Sequence, residues 1–269
     1  MNKLILTLLL FIVTTNIFGQ NQKLNSEQIF QKCEKSIVKI VIVKNDEVIG
    51  FASGVFITDN GYLATNFHVL ESMVNEKMDY AFIQNSTTRE PLGKLICYYK
   101  EFDLAIFKVE NVKYKGIKID DNNTLKKGTK IFTISSPIGI ENSITEGIVS
   151  NLEKPLVDYP TVYTNIIVDA KFTHGSSGGA LINEYGELVG ILQGGIEGLD
   201  EKGVDNGARA NINLAIPITF LNILIAKSDC NIDKNSFKKN VVKQEAQIIE
   251  EKKEAPKGLQ ENPGEVNIE

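Results

Sequence analysis

An all-β fold is predicted for this 269-residue chain by three observations. Apolar residues arrive in short β-branched bursts, turn-forming residues separate the bursts at roughly 8–12-residue spacing, and helical periodicity is confined to two stretches near the ends. The bursts are Ser36–Val43, Val48–Thr58, Tyr62–Asn66, Tyr80–Gln84, Leu92–Tyr99, Leu104–Val109, Lys130–Ile134 and Ile144–Leu152, then Val162–Val168, Ala180–Asn183, Glu187–Gln193 and Asn211–Ile216. Asp59-Asn60-Gly61, Lys127-Gly128, Pro137-Ile138-Gly139 and Tyr185-Gly186 supply turns between them. A dozen short strands so spaced suit a sandwich or barrels, not alternating β-α units. The predicted helices are Ser26–Lys35 and, after Pro217, Ile218–Lys227.

The two ends differ from this body. Lys3 precedes an apolar run, Leu4–Val13, broken only by Thr7 and leading to a cleavage-like site near Gly19 and Gln20. About ten apolar residues are too few for a helix to cross ~30 Å of hydrocarbon. Residues 1–20 therefore read as a secretory signal, and the mature chain as exported, periplasmic or secreted, with no stable membrane insertion. At the other end, eight lysines and nine acidic residues fall among the 43 positions from Lys227 to Glu269. Such a charge density reads as a polar, disordered tail (229–269) after a folded unit spanning 21–228.

Composition excludes several classes. With 42% hydrophobic and 23% charged residues the chain supports a core, and its net charge of −5 argues against a nucleic-acid partner bound through bulk positive charge. Three cysteines exclude a disulfide-rich mini-fold and a four-cysteine zinc site, and no ligand cluster suggests another metal or a cofactor. An oxidising compartment leaves Cys33–Cys230 as a candidate bridge, with Cys97, inside a strand, read as a buried free thiol.

The chemistry concentrates in Thr173–Ile182, THGSSGGALI. A G-x-S-G-G run surrounds one hydroxyl, that of Ser177, with backbone able to aim the amides of Gly175 and Ser177 at a developing oxyanion. By itself such a segment is as often an ordinary loop. A serine hydroxyl needs a base, and the chain has two histidines, His68 and His174. His174 lies three residues before Ser177 on the same tight loop and would have to fold back, so His68, at the end of a predicted strand, is the better candidate. Asp103 opens the apolar strand DLAIFKV and would orient His68, since a carboxylate beside a buried run needs a partner.

These residues occur in blocks. SGVFITDNGYLATNFHV (53–69), DLAIFKV (103–109), SPIG (136–139), TEGIVS (145–150), VDA (168–170), GSSGGALIN (175–183) and NLAIPI (213–218) follow one another in an order that resembles the chymotrypsin-fold serine proteases, in particular their HtrA/Deg branch. The resemblance covers about 36–226. It implies two six-stranded antiparallel β-barrels with a C-terminal helix and the polar tail, and a cleft between the barrels holding His68, Asp103 and Ser177. It implies a serine endopeptidase acting on protein or peptide substrates through an acyl-enzyme, without cofactor or metal, and leaves a homo-oligomer open. Gly190–Gly195 would pair with an extended substrate, placing Leu192, Gln193 and Gly194 in the binding site, and Lys171 and Phe172 would line the specificity pocket. Ser176 stands where digestive relatives carry an aspartate that pairs with a newly cut N-terminus, so removal of the leader is expected to suffice for activation. The tail is too short and polar for the PDZ domains that usually follow in that branch. The other readings are a protease-fold binding module without turnover and an ester hydrolase, the latter disfavoured by the lack of a strand-to-helix nucleophile elbow.

Overall fold

The computed structural model describes residues 22–84, 89–110, 114–120, 125–152, 165–199 and 205–227; the expected leader, the charged tail and Cys230 lie outside them. The chain opens with α1 (Ser26–Cys33), capped by Asn25 and Gln28 in a reciprocal capping box. The first seven strands are β1 (Ile37–Lys44), β2 (Glu47–Phe56), β3 (Tyr62–Thr65), β4 (Tyr80–Gln84), β5 (Arg89–Pro91), β6 (Lys94–Tyr99) and β7 (Leu104–Lys108), with α2 (Phe67–Asn75) between β3 and β4. They form one antiparallel sheet in the order β5-β4-β1-β2-β3-β7-β6. The remaining strands, β8 (Lys130–Ser135), β9 (Ser143–Asn151), β10 (Ile166–Val168), β11 (Ala180–Asn183), β12 (Leu188–Leu199) and β13 (Asp205–Pro217), close into a six-stranded barrel, and α3 (Ile218–Ala226) follows.

The all-β architecture is the expected one, with two differences. The first half is a seven-stranded sheet rather than a closed six-stranded barrel: β5 is three residues long and ends in Pro91, which has no N–H to donate to a closing ladder. His68, placed at a strand end by its sequence, instead occupies the first turn of α2. The helix forms because Val69 and Met73, four residues apart, bury on one face.

A hydrophobic cluster joins the halves, combining Ile37, Val55 and Ala64 from the sheet with Phe132, Ile182 and Ile191 from the barrel. Both terminal helices pack into it. Although α1 precedes the sheet, it fastens to the barrel: Leu24 N–H donates to Glu184 O (2.7 Å), Ser26 Oγ to Glu146 (2.6 Å) and Lys32 Nζ to the Tyr185 carbonyl (2.5 Å). Conversely α3, which follows the barrel, places Phe220 against Phe102 of the sheet at 4.0 Å between ring centroids.

The expected cysteine arrangement is corrected. Cys33 is a free thiol, 1% exposed on the last turn of α1, and burial pushes its pKa up to about 11. Cys97, expected free, is disulfide-bonded. The reason is orientation: the Cys33 side chain points into the shared core beside Ile29 and Ile37, with Sγ 3.7 Å from the Gly186 carbonyl.

Candidate active site

Asp103 and His68 meet within the first sheet. Asp103 follows a 3-10 turn at Lys100–Phe102 in the left-handed conformation (φ 53°, ψ 45°), a region that aspartate tolerates better than most residues. Its carboxylate makes two contacts with His68: Oδ1 accepts the backbone N–H at 2.8 Å, and Oδ2 lies 2.8 Å from Nδ1. The first contact satisfies an open N–H in the first turn of α2 and places negative charge at that helix's positive end. The second requires Nδ1 to carry the proton, because a carboxylate only accepts, and so leaves Nε2 as a proton acceptor. Asn66, at the N-cap of α2, donates from Nδ2 to the Asp103 carbonyl at 3.2 Å and holds the two segments together.

Ser177 lies on the turn between β10 and β11. The turn is tied by Ser176 N–H to Thr173 O and by Gly179 N–H to Ser176 O, both 2.9 Å, while Gly178 N–H reaches Leu192 O on β12 at 2.9 Å. Two glycines are obligatory. Gly175 and Gly178 have φ of 89° and 84°, and a Cβ on Gly178 would come within 2.1 Å of the Ser53 carbonyl oxygen. The N–H groups of Gly175 and Ser177 have no acceptor among the described residues. Ser177 Oγ donates to the Gln193 carbonyl at 2.9 Å, within its own barrel.

Residues that sequence reasoning passed over connect the halves. Ser53, fully buried on β2, donates N–H to Ser177 O (2.8 Å) and Oγ to Gly175 O (2.8 Å), while its Oγ accepts Ser136 N–H (2.9 Å). Its only sequence signal is its place before Gly54 in the SGVF run. Gln193, expected among substrate-binding residues, bulges out of the β12–β13 ladder between Leu192 and Gly194. Its Nε2 donates to Asp103 Oδ2 at 3.1 Å and its Oε1 accepts from Asn165 Nδ2 at 2.6 Å. One residue thus touches the carboxylate through its side chain and the Ser177 hydroxyl through its backbone.

Comparison with known proteins identifies the family and the fold. Residues 52–191, just over half the chain, match the family described as the trypsin-like peptidase domain. The chain belongs to the trypsin-like peptidase family. Among its relatives is the probable periplasmic serine endoprotease DegP-like of Buchnera aphidicola, 32% identical over 174 residues, which cover 64% of this chain and 35% of that protein. Periplasmic serine endoprotease DegP of Escherichia coli K12 is 33% identical over 150 residues (55% and 31%), and Protease Do-like 5, chloroplastic, of Arabidopsis thaliana is 28% identical over 215 residues (71% and 65%). The chain spans about a third of the length of the DegP-type relatives. A solved structure of the HtrA-type protease AlgW with tripeptide superposes with a TM-score of 0.59 at 24% identity, covering 73% of this chain and 60% of that one, which supports the fold.

In this trypsin-like peptidase the other expected site residues scatter. Lys171 is exposed and its carbonyl accepts Thr145 Oγ1 at 3.1 Å; Phe172 packs against the barrel interior. Leu192 is buried, with its N–H and carbonyl committed to Gly179 and Gly178, whereas the space beside Gly194 is open. His174 lies exposed at the rim, its carbonyl accepting Ile138 N–H at 2.7 Å. A cleft of about 640 Å³ runs from Ser177 and His68 between α2 and the 137–139 turn. Among the described residues no group of three or more His, Cys, Asp or Glu could hold a metal, and no helix is long and apolar enough to cross a membrane.

Proposed function

We propose that the chain is an exported serine endopeptidase of the HtrA/DegP type, acting on polypeptides in the periplasm or outside the cell, with residues 21–228 as the peptidase unit between the leader and the charged tail. The observation that carries this reading is the doubly bonded His68–Asp103 pair, whose histidine lines the same cleft as a glycine-held serine with open flanking amides. Ser177 Oγ attacks the scissile carbonyl carbon as its proton passes to His68 Nε2. Asp103 holds the ring in that tautomer and stabilises the imidazolium. The carbonyl oxygen takes the charge and accepts from Gly175 and Ser177 N–H, donors worth about 10²–10³ each in rate in such sites. Collapse of the intermediate expels the amine, which takes the proton from His68 and leaves the acyl group on Ser177; water then attacks by the same route in reverse roles. To follow this path the Ser177 hydroxyl leaves the Gln193 carbonyl, its resting acceptor.

That resting bond is the one observation favouring a second reading, a protease-fold binding module without turnover. A fluorophosphonate probe followed by peptide mapping separates the two. The expected result is one adduct on Ser177, lost in Ser177→Ala and suppressed in His68→Ala, together with casein turnover in the wild type alone. Folded protein that takes no adduct and cleaves nothing would support the binding module.

A further inference from the structure

The cleft beside Ser177 is lopsided. Its lining includes none of the β12 residues 188–195 that the acyl half of a peptide would follow. It leaves the nucleophile in the other direction, past His68 and along α2, which is where the released amine must lie if His68 is to protonate it. The wall there is apolar: Ile42, Ile49, Phe51, Val69 and Ile138 line it, with Glu76 at the far end.

Three features indicate that this wall is built to hold something. Ile49, Phe51 and Ile138 are 42%, 39% and 64% exposed, and among the large apolar side chains left exposed on the described residues these three share the lining of one cleft with the nucleophile. Ile138 adopts the left-handed conformation (φ 46°, ψ 31°), a strained choice for a β-branched residue, and the His174 carbonyl on the Ser177 turn holds it there. The third feature is the free edge of β2. This strand pairs with β3 only at Val55 and Phe56. Ser53 points its N–H across that edge to Ser177, so Phe51, two residues earlier, directs its N–H and carbonyl the same way. An extended peptide leaving Ser177 meets main-chain partners at Phe51 and apolar side chains on either side.

We infer that this cleft is the leaving-group subsite and selects substrates with apolar side chains at the first two positions after the scissile bond, Phe51, Ile49 and Ile138 being the specificity-determining residues. The inference rests on the endopeptidase reading and names its substrate class. The occupant is polypeptide of that chemistry because the cleft is continuous with the nucleophile and the base.

The test is a peptide set with one constant acyl half and Leu, Ile, Phe, Gly, Asp or Lys at the two following positions, with kcat/KM read by mass spectrometry beside fluorophosphonate titration of Ser177. Apolar residues are expected to exceed Asp, Lys and Gly by about tenfold or more, the range one apolar pocket supplies. Ile138→Ser and, independently, Ile49→Ser should compress that ratio towards one. A wild type that takes the adduct and cleaves the set without preference overturns the subsite and leaves the endopeptidase standing. An Ile138→Ser variant that cleaves every peptide faster would also overturn it, by showing that a segment of the chain itself covers the cleft. Absence of both adduct and cleavage overturns the endopeptidase reading, and the subsite with it.

Discussion

The first sheet and the second barrel bring their candidate groups to the cleft in different states. In the sheet, His68 and Asp103 are 35 residues apart and already joined by two 2.8 Å contacts, one of which also caps the helix that carries the histidine. In the barrel, Ser177 rides on a turn held open by glycines, and its hydroxyl is bonded to Gln193 of the same barrel. The acid–base pair is therefore joined by contacts within the first half, with one supporting donor, Gln193, from the barrel. The nucleophile depends on contacts that cross between the halves, chiefly those of Ser53. Preorganisation is largely internal on one side and conditional on the other.

The largest expected effect comes from breaking the crossing itself. Gly178→Ala would press a methyl group within 2.1 Å of Ser53 O and 2.2 Å of Thr65 Oγ1, at a backbone angle that costs about 1–3 kcal/mol for a non-glycine residue. We expect a clear drop in the urea midpoint and loss of probe labelling at Ser177, while the His68–Asp103 pair persists in NMR spectra of the imidazole protons. Labelling at the wild-type rate would contradict the dependence on this crossing.

A smaller effect is expected from Gln193→Ala, which removes the side-chain donor to Asp103 and leaves the backbone carbonyl in place. Hydrogen bonds to charged groups contribute about 1.5–3 kcal/mol, and each ~1.4 kcal/mol is tenfold in rate. The expected result is kcat lower by about tenfold or more with KM nearly constant, together with a melting temperature lower by a few degrees because Asn165 also loses its partner. Loss through KM alone would mean that Gln193 contacts substrate and does not position Asp103.

The smallest effect concerns the attachment of α1. Hydrogen bonds from Ser26 and then Lys130 hold the pKa of Glu146 below the ordinary glutamate value. A depressed carboxylate pKa adds stability above the unfolded value, about 4.3, which is lost as pH falls through the folded value. The group is exposed, so Glu146→Gln should lower the melting temperature slightly at pH 7 and not at pH 3. An equal difference at both pH values would mean that the contact acts by packing instead of charge.

Much of the fold is legible in the sequence because periodicity and turn chemistry are local. The bursts at Ser36–Val43, Leu104–Val109 and Ala180–Asn183 match strands β1, β7 and β11 within a residue or so at each end. The helix carrying His68 is not legible, because YLATNFHVL continues one apolar run and the i, i+4 spacing of Val69 and Met73 matters only once a surface exists to bury it. The family blocks place His68, Asp103 and Ser177 in order, and the fold brings His68 and Asp103 into contact. Ser53 opens one of those blocks, but nothing in the sequence tells that its hydroxyl serves a backbone carbonyl of the other half, and Asn165, spent on another side-chain amide, lies outside every block. Cysteine pairing escapes for a related reason, since spacing does not reveal which way a helical side chain points.

The helices at the two ends both cross between the halves. The one that begins the described chain grips the later barrel, and the one that ends it packs on the barrel it follows and also reaches the earlier half, with the Lys227 ammonium just beyond it 4.4 Å from the Tyr99 ring centroid. Each terminal helix thus bridges to the half it does not adjoin. The barrel therefore closes against a helix that precedes it in the chain, whereas the first sheet receives its covering helix only after the last barrel strand has been made, which ties the sheet's order to contacts of high sequence separation.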